Sequence, residues 1–370
     1  MTDSVSKYVS KLSPIVDYGT GAFLLIVAVM TIVGNGAVLV AARKRASRLK
    51  PPELLSVNLA FTDLGAAVTM YPLAIASAWN HGWLGGEASC IYYGLMGLLF
   101  GVASIMTLTI MAVVRLITTA MSHIPASRVP SWTRVWRAIV AVWLYSLLWC
   151  LFPLIGWGSY GPEPFGTACS VTWTNSHQSW NRSTFVLLFF TLCVLLPLST
   201  LMLCYARIAY THYQVYRTLK HHRTISISNQ TTRRLTLMSV MVSAGFVVSW
   251  GPYAAVSVWS VFCANENIPP FLTLLPCLFA KSSTVYNPFI YYAFSKSFRR
   301  EVSALKPSCQ LSKSSQSDSD NQPAVHWKRG GHLQVLPQPC MCDTVRVGGY
   351  LEERGLPTVE RTGGPGGSVP

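Results

Sequence analysis

Seven long apolar runs, each interrupted only by isolated polar residues, divide the chain. They lie near residues 18–42, 54–78, 88–119, 136–156, 184–210, 234–263 and 270–293. A helix needs roughly 20 mostly apolar residues to cross a bilayer core about 30 Å thick, and each run is long enough. Unpaired backbone cannot face lipid, so runs of this kind read as helices. The pattern predicts an all-α membrane protein, a bundle of seven transmembrane helices. No internal repeat of the kind that builds many transporters is visible.

Composition agrees. Of 370 residues, 51% are hydrophobic and 12% charged, about half the charged share of a soluble domain. Mean hydropathy is +0.37. A soluble chain of this size could not clothe its surface with so few charges. The net charge of +15 does not imply a nucleic-acid partner, because the cations cluster between apolar runs. Arg43, Lys44, Arg45, Arg48 and Lys50 follow the first run, and Arg115, Arg128, Arg134 and Arg137 surround the third loop. Arg217, Lys220, Arg223, Arg233 and Arg234 lie in the fifth loop, and Lys296, Arg299 and Arg300 follow the last run. The alternate loops carry almost none, which predicts an outside N-terminus and an inside C-terminus.

The first seventeen residues are polar and precede a run long enough to span, so no cleavable signal peptide is expected. Residues 1–17 read as an extracellular N-terminus and 18–304 as the membrane domain. From 305 to 370 the chain is polar, Pro/Gly-rich and aperiodic, which predicts a disordered cytoplasmic tail. Asn181-Arg182-Ser183 is a glycosylation sequon in an outside loop. The ten cysteines show no paired metal spacing, and no metal is expected.

Polar residues inside the runs are expensive in lipid, so each calls for a reason. The first run holds Gly34-Asn35. The second holds Leu59-Ala60-Phe61-Thr62-Asp63. The third begins at Cys90 and ends at Arg115, and the fourth holds Trp143 and Pro153. Pro197 and Tyr205 mark the fifth, Trp250-Gly251-Pro252-Tyr253 the sixth, and Asn287-Pro288-Phe289-Ile290-Tyr291 the seventh. This set, one signature per run and in this order, resembles the rhodopsin-like G-protein-coupled receptors over residues 18–304.

The residues have physical readings of their own. Asn35, Asp63 and Asn287 can meet as a hydrogen-bonded polar core, since an unpaired carboxylate in lipid is costly. In the family such a core often holds water and sodium. Pro252 and Pro288 free backbone carbonyls and supply hinge points, or simply tune helix packing. The resemblance implies a Cys90–Cys169 disulfide, which an oxidising compartment favours. Phe294-Ser295-Lys296-Ser297-Phe298-Arg299-Arg300 resembles the family's short amphipathic helix 8, with Phe294 and Phe298 dipping into membrane lipid. Cys309 is a palmitoylation candidate. Ser312, Ser314, Ser315, Ser317 and Ser319 offer phosphorylation sites for arrestin, or are plain linker.

Lys281 is the most informative residue. It lies six residues before Asn287, about 9 Å along a helix and well inside the bilayer. A lysine at that depth costs roughly 2.5–3.5 kcal/mol, which a structural role does not easily offset. Snorkelling is the bland alternative, but several turns separate it from the inner end. A buried amine is nucleophilic and condenses with aldehydes. Lys281 at this distance before Asn-Pro-x-x-Tyr resembles the retinal-attachment lysine of opsins, in a non-visual, bistable or neuropsin-like branch.

That resemblance implies retinal as cofactor, held as a protonated Schiff base on Lys281. It places Trp250, Tyr253, Gly94, Gly97, Phe189 and Phe190 at the polyene wall, although ordinary packing explains the aromatics too. A buried cation needs an anion. Tyr93 stands where vertebrate visual opsins place a glutamate. Glu163 matches the displaced counterion of bistable opsins, with a solvated loop acid as the alternative and Glu87 a weaker substitute.

At the inner end the family's acidic-Arg-aromatic motif reads Val114-Arg115-Leu116, and the sixth-run site that often carries glutamate is Thr232. Both halves of the ionic restraint are missing. Arg115, Tyr205 and Tyr291 remain. The resemblance implies a light-sensing receptor in the plasma membrane that activates a heterotrimeric G protein and is not an enzyme. A retinal photoisomerase of the same fold is the alternative. An amine receptor is excluded, because Gly97 stands where its acidic anchor belongs.

Overall fold

The computed structural model describes residues 7–120, 130–173, 180–219, 227–262 and 269–304. Ser13 holds extended backbone ahead of Pro14, and proline fits a helix's first turn, where its missing N–H costs nothing. Helix α1 therefore runs Pro14–Lys44. Helices α2 and α3 span Glu53–Trp79 and Gly86–Ala120. Helix α4 spans Trp132–Leu151, capped by the Ser131 hydroxyl, which accepts from the Arg134 amide.

Helix α5 covers 180–219 in three parts, α-helical over Trp180–Phe189, π-helical over Phe190–Leu195 and α-helical again over Leu196–Leu219. Helices α6 and α7 span Ile227–Phe262 and Pro270–Phe294, and α8 spans Lys296–Ser303. Within the described residues, each of the seven predicted runs is built on a helix. Among the described residues, six helices are long and apolar enough to cross a membrane. The seventh, α7, is diluted by Lys281-Ser282-Ser283-Thr284 and Asn287. A belt of exposed Leu, Ile, Val and Phe, among them Ile26, Val33, Leu144, Leu203 and Phe289, girdles the bundle and needs lipid to cover it.

The ends differ from the pattern for local reasons. Helix α1 starts four residues earlier than the apolar run and takes in Asp17. That carboxylate is fully buried, accepting from Ser10 Oγ at 2.9 Å and facing His81 Nδ1 at 3.0 Å. Pro153 cannot donate to a carbonyl four residues back, so α4 stops at Leu151 and a 3-10 turn covers Phe152–Ile155. Asn181 is exposed in the first turn of α5 rather than in a loop. Phe298 does not face lipid: it packs inward against Tyr291, ring centroids 6.4 Å apart, and Phe294 ends α7 beside the same cluster.

One element lies outside the all-α expectation. Strands β1 (Tyr160–Pro162) and β2 (Cys169–Val171) pair antiparallel, with Pro162 opposite Cys169. The Cys90–Cys169 disulfide, Cα atoms 5.3 Å apart, ties this hairpin to α3. We call this the outer end. Residues 8–11 cross it, through the amide of Trp83 to Tyr8 O at 2.7 Å, Ser10 to His81 O at 3.0 Å and Lys11 to Phe165 O at 3.2 Å. Gly166, at φ +88°, lets this strap approach, since a Cβ there would run into the Val9 carbonyl. The outer core beneath joins α1, α2, α3, α7 and the hairpin.

Candidate functional site

Beneath the hairpin lies a cavity of about 170 Å³. The third helix supplies its floor through small residues. Gly94, Gly97 and Gly101 face it, and a Cβ at Gly97 would sit 3.0 Å from Met70 Cε. Phe189, which ends the first part of α5, and Phe190, Cys193 and Val194 of its π segment line the same space. Extra residues in one turn re-aim side chains, and Pro197, just beyond, has no N–H to restore the α pattern at once. From α6 come Phe246, Trp250 and Tyr253, the first two stacked at 5.6 Å.

Lys281 brings the cavity its amine. Its Nζ donates to Tyr93 Oη at 2.6 Å and lies over the rings of Tyr93 and Tyr71, 4.9 and 5.8 Å from their centroids. Tyr71 Oη donates to the carbonyl of Lys281 at 2.9 Å and fixes this turn of α7. Trp250 Nε1 donates to Ser283 Oγ at 3.1 Å, tying α6 to α7 two residues past the lysine.

Glu163 is the acid among the described cavity residues, and it is buried. Tyr253 Oη donates to its Oε1 at 2.6 Å, and Trp173 Nε1 donates to Tyr253 Oη at 3.1 Å. Glu163 and Lys281 thus face one cavity without direct contact, each held by its own tyrosine. Glu87 is exposed at the start of α3, outside the cavity.

Burial pushes the Glu163 carboxyl above the usual carboxylate range, while hydroxyls of Ser170 and Tyr253 and the Lys281 cation pull it back. An acid raised in this way binds its proton more tightly in the fold than in the unfolded chain. Its stabilising contribution is complete below the ordinary glutamate range, about 4.3, and is lost as pH rises through the raised value. The protein in detergent should therefore lose thermal stability across that window, and Glu163→Gln should flatten the slope. Equal slopes in both proteins would contradict this account.

The other predicted polar groups are partly brought together. Asn287 Nδ2 donates to Asp63 Oδ2 at 2.8 Å. Asn35 reaches α7 instead through the Thr284 carbonyl at 2.9 Å, and its buried Oδ1 has no partner among the described residues. At the inner end Arg115 is buried, and its Nε donates to Ser239 Oγ of α6 at 3.1 Å. Tyr205 Oη donates to the Ser239 carbonyl at 3.0 Å, so Ser239 joins α3, α5 and α6. Sequence reasoning missed Ser239, as one serine on a long helix carries no signal. Pro252 and Pro288 lie inside α6 and α7, and Tyr291 is buried in the inner core. The Thr232 side chain, Cys309 and the tail serines 312–319 lie outside the described residues.

Three comparisons set this arrangement among known proteins. Residues 34–291 match the model of the 7 transmembrane receptor (rhodopsin family). Opsin-5 of Homo sapiens is 34% identical over 292 residues, which is 79% of this chain and 82% of that protein. Visual pigment-like receptor peropsin of Homo sapiens is 34% identical over 289 residues, 76% of this chain and 82% of its own. The crystal structure of squid rhodopsin superposes with a TM-score of 0.72 at 29% identity, covering 80% of this chain and 87% of that one.

Proposed function

The chain belongs to the opsins, within the rhodopsin family of seven-transmembrane receptors, and from that premise we propose that it is a light-activated G-protein-coupled receptor carrying retinal on Lys281. The observation that carries this reading is one amine in an otherwise mostly apolar cavity, with one buried carboxylate in the same wall. The fit to a polyene aldehyde is chemical: the apolar wall suits the chain and ring, the amine suits the aldehyde, and Glu163 suits the resulting cation. Retinal, when bound, supplies light absorption and a change of shape.

The protein's own residues supply the rest. Lys281 holds the chromophore as a protonated Schiff base. Glu163 is its counterion across the cavity, and Tyr93 is a neutral hydrogen-bond partner close at hand. A counterion held at a distance by Tyr253 suits a pigment whose Schiff base stays protonated after illumination. Trp250 links the cavity wall to α7 through Ser283, and Pro252 two residues on gives α6 a weak point. Movement of α6 there separates Ser239 from Arg115 and opens the inner face to a G protein. The N-terminus is extracellular, Asn181 carries glycan, and the tail recruits arrestin once phosphorylated. The test is to express the protein, add cis-retinal and record spectra in darkness and after illumination. A visible band that shifts with light supports the proposal, and no band contradicts it.

A second reading, a retinal photoisomerase, draws on Val114. With no acid beside it, Arg115 is restrained by a neutral serine, and such a bond is worth about 1.5–3 kcal/mol at most. Dark G-protein turnover should therefore be high, should rise severalfold in Ser239→Ala, and should fall in Val114→Glu, with the light response kept. Equal dark turnover in all three would show that neither residue sets the resting state. No turnover in dark or light would favour the photoisomerase.

A further inference from the structure

Glu163 borders two cavities. One is the apolar cavity that contains Lys281. The other, of about 30 Å³, shares Glu163, Ser170, Val171, Trp173, Tyr253 and Ser257 with the first and extends toward the outer ends of α6 and α7. Its distal wall mixes the apolar Pro162, Pro164 and Val256 with three hydroxyls: Thr172 follows the hairpin, Ser260 lies near the end of α6, and Thr273 lies in the first turn of α7. Ser257, Ser260 and Thr273 are buried. Ser260 Oγ donates to the Ser257 carbonyl at 2.7 Å and Thr273 Oγ1 to the Pro270 carbonyl at 2.9 Å, so both oxygens keep acceptor capacity toward the space.

Size and polarity decide what fills such a space. An apolar cavity stays dry, whereas a polar one holds water once it exceeds about 10–15 Å³ and offers two to four partners. The smaller cavity is large enough, and its hydroxyls and Glu163 offer the partners. Hydroxyl oxygens accept from a water there, and Glu163 is an acceptor that Tyr253 does not saturate, because a carboxylate has about four lone-pair sites.

The groups facing Glu163 are Tyr253 from α6, Lys281 and Cys277 from α7, Tyr93 from α3 and Ser170 from the hairpin. The Tyr253 proton is engaged on Glu163 itself, and Lys281 donates to Tyr93. None of these groups carries a proton outward.

We propose that the smaller cavity is a water-holding antechamber through which Glu163 exchanges its proton with the medium beyond the outer end. In the forward step a hydronium in the antechamber gives its proton to a Glu163 carboxylate oxygen and is left as water. The reverse step returns the proton to water and leaves the carboxylate charged. For its consequence the proposal rests on Glu163 as counterion. It then couples the Schiff base to external pH through Glu163, which lines both cavities.

Two measurements test it. In the retinal-free protein, hydroxyl radicals generated by a brief X-ray pulse in oxygen-18 water mark side chains beside bound internal water. Tyr253 and Trp173 should take up the label in the wild type, and should lose most of it when Ser260→Leu or Thr273→Leu fills the space from α6 or α7. Absence of label at both aromatics in the wild type overturns the proposal. In the pigment, a jump to alkaline pH should deprotonate the Schiff base severalfold more slowly in either filled variant, with the equilibrium midpoint nearly unmoved. Unchanged rates in both variants overturn it as well. Failure of the counterion reading is seen separately, as a midpoint that does not move in Glu163→Gln.

Discussion

Lys281→Ala should form no pigment with cis-retinal, a complete loss rather than a weakening. The cavity keeps its apolar wall without the lysine, so retinal still partitions into it, but nothing there condenses with the aldehyde. Tyr93, Tyr71 and Glu163 are not amines, and Lys281 is the lysine of the described cavity. Lys281→Arg should fail equally, because a guanidinium stays protonated and is no nucleophile. Recovery of the Cys90–Cys169 bridge by unreduced peptide mapping would show that the variants fold. The check is absorbance after incubation with cis-retinal in darkness. A shifted visible band in Lys281→Ala would exclude the attachment.

The second large effect is expected at Glu163. An anion across the cavity favours the protonated Schiff base, and one pH unit in its pKa is about 1.4 kcal/mol of that preference. Glu163→Gln keeps the shape and the bond from Tyr253 while removing the charge. The Schiff-base pKa should fall by several pH units, and absorbance at neutral pH should move toward the ultraviolet. Tyr93→Phe should do much less, although Tyr93 is the residue in contact with Lys281 at 2.6 Å. Contact and charge thus make opposite predictions. An unchanged titration in Glu163→Gln together with a large fall in Tyr93→Phe would transfer the role to the tyrosine.

The seven runs were readable because apolar length is a local property, and a spanning helix has no other way to satisfy its backbone. Lys281 stood out for the same reason, since a cation within such a run calls for its own explanation. What escaped the sequence depends on partners distant along the chain. Asp17 reads as the last residue of a polar tail. It is buried because Ser10 and His81, far apart in sequence, converge on it. The π segment before Pro197 has no compositional mark, because packing sets its one-residue shift as much as the proline does. Phe298 shows an amphipathic spacing, but spacing does not tell lipid from Tyr291 as the apolar neighbour. The hairpin has three-residue strands, the first containing glycine and proline, too short for alternation to show. Arg115 was found from its motif, whereas Ser239, its partner, could be found only from the fold.

The central claim is a covalent bond between retinal and one lysine, and chemical trapping tests it most directly. Borohydride reduces the carbon–nitrogen double bond of a Schiff base to a stable amine. Illuminated or dark pigment treated in this way, digested and sequenced by mass spectrometry, should carry the retinyl group on the peptide that contains Lys281. A retinyl group on any other lysine, or none on a protein that had formed pigment, would contradict the account.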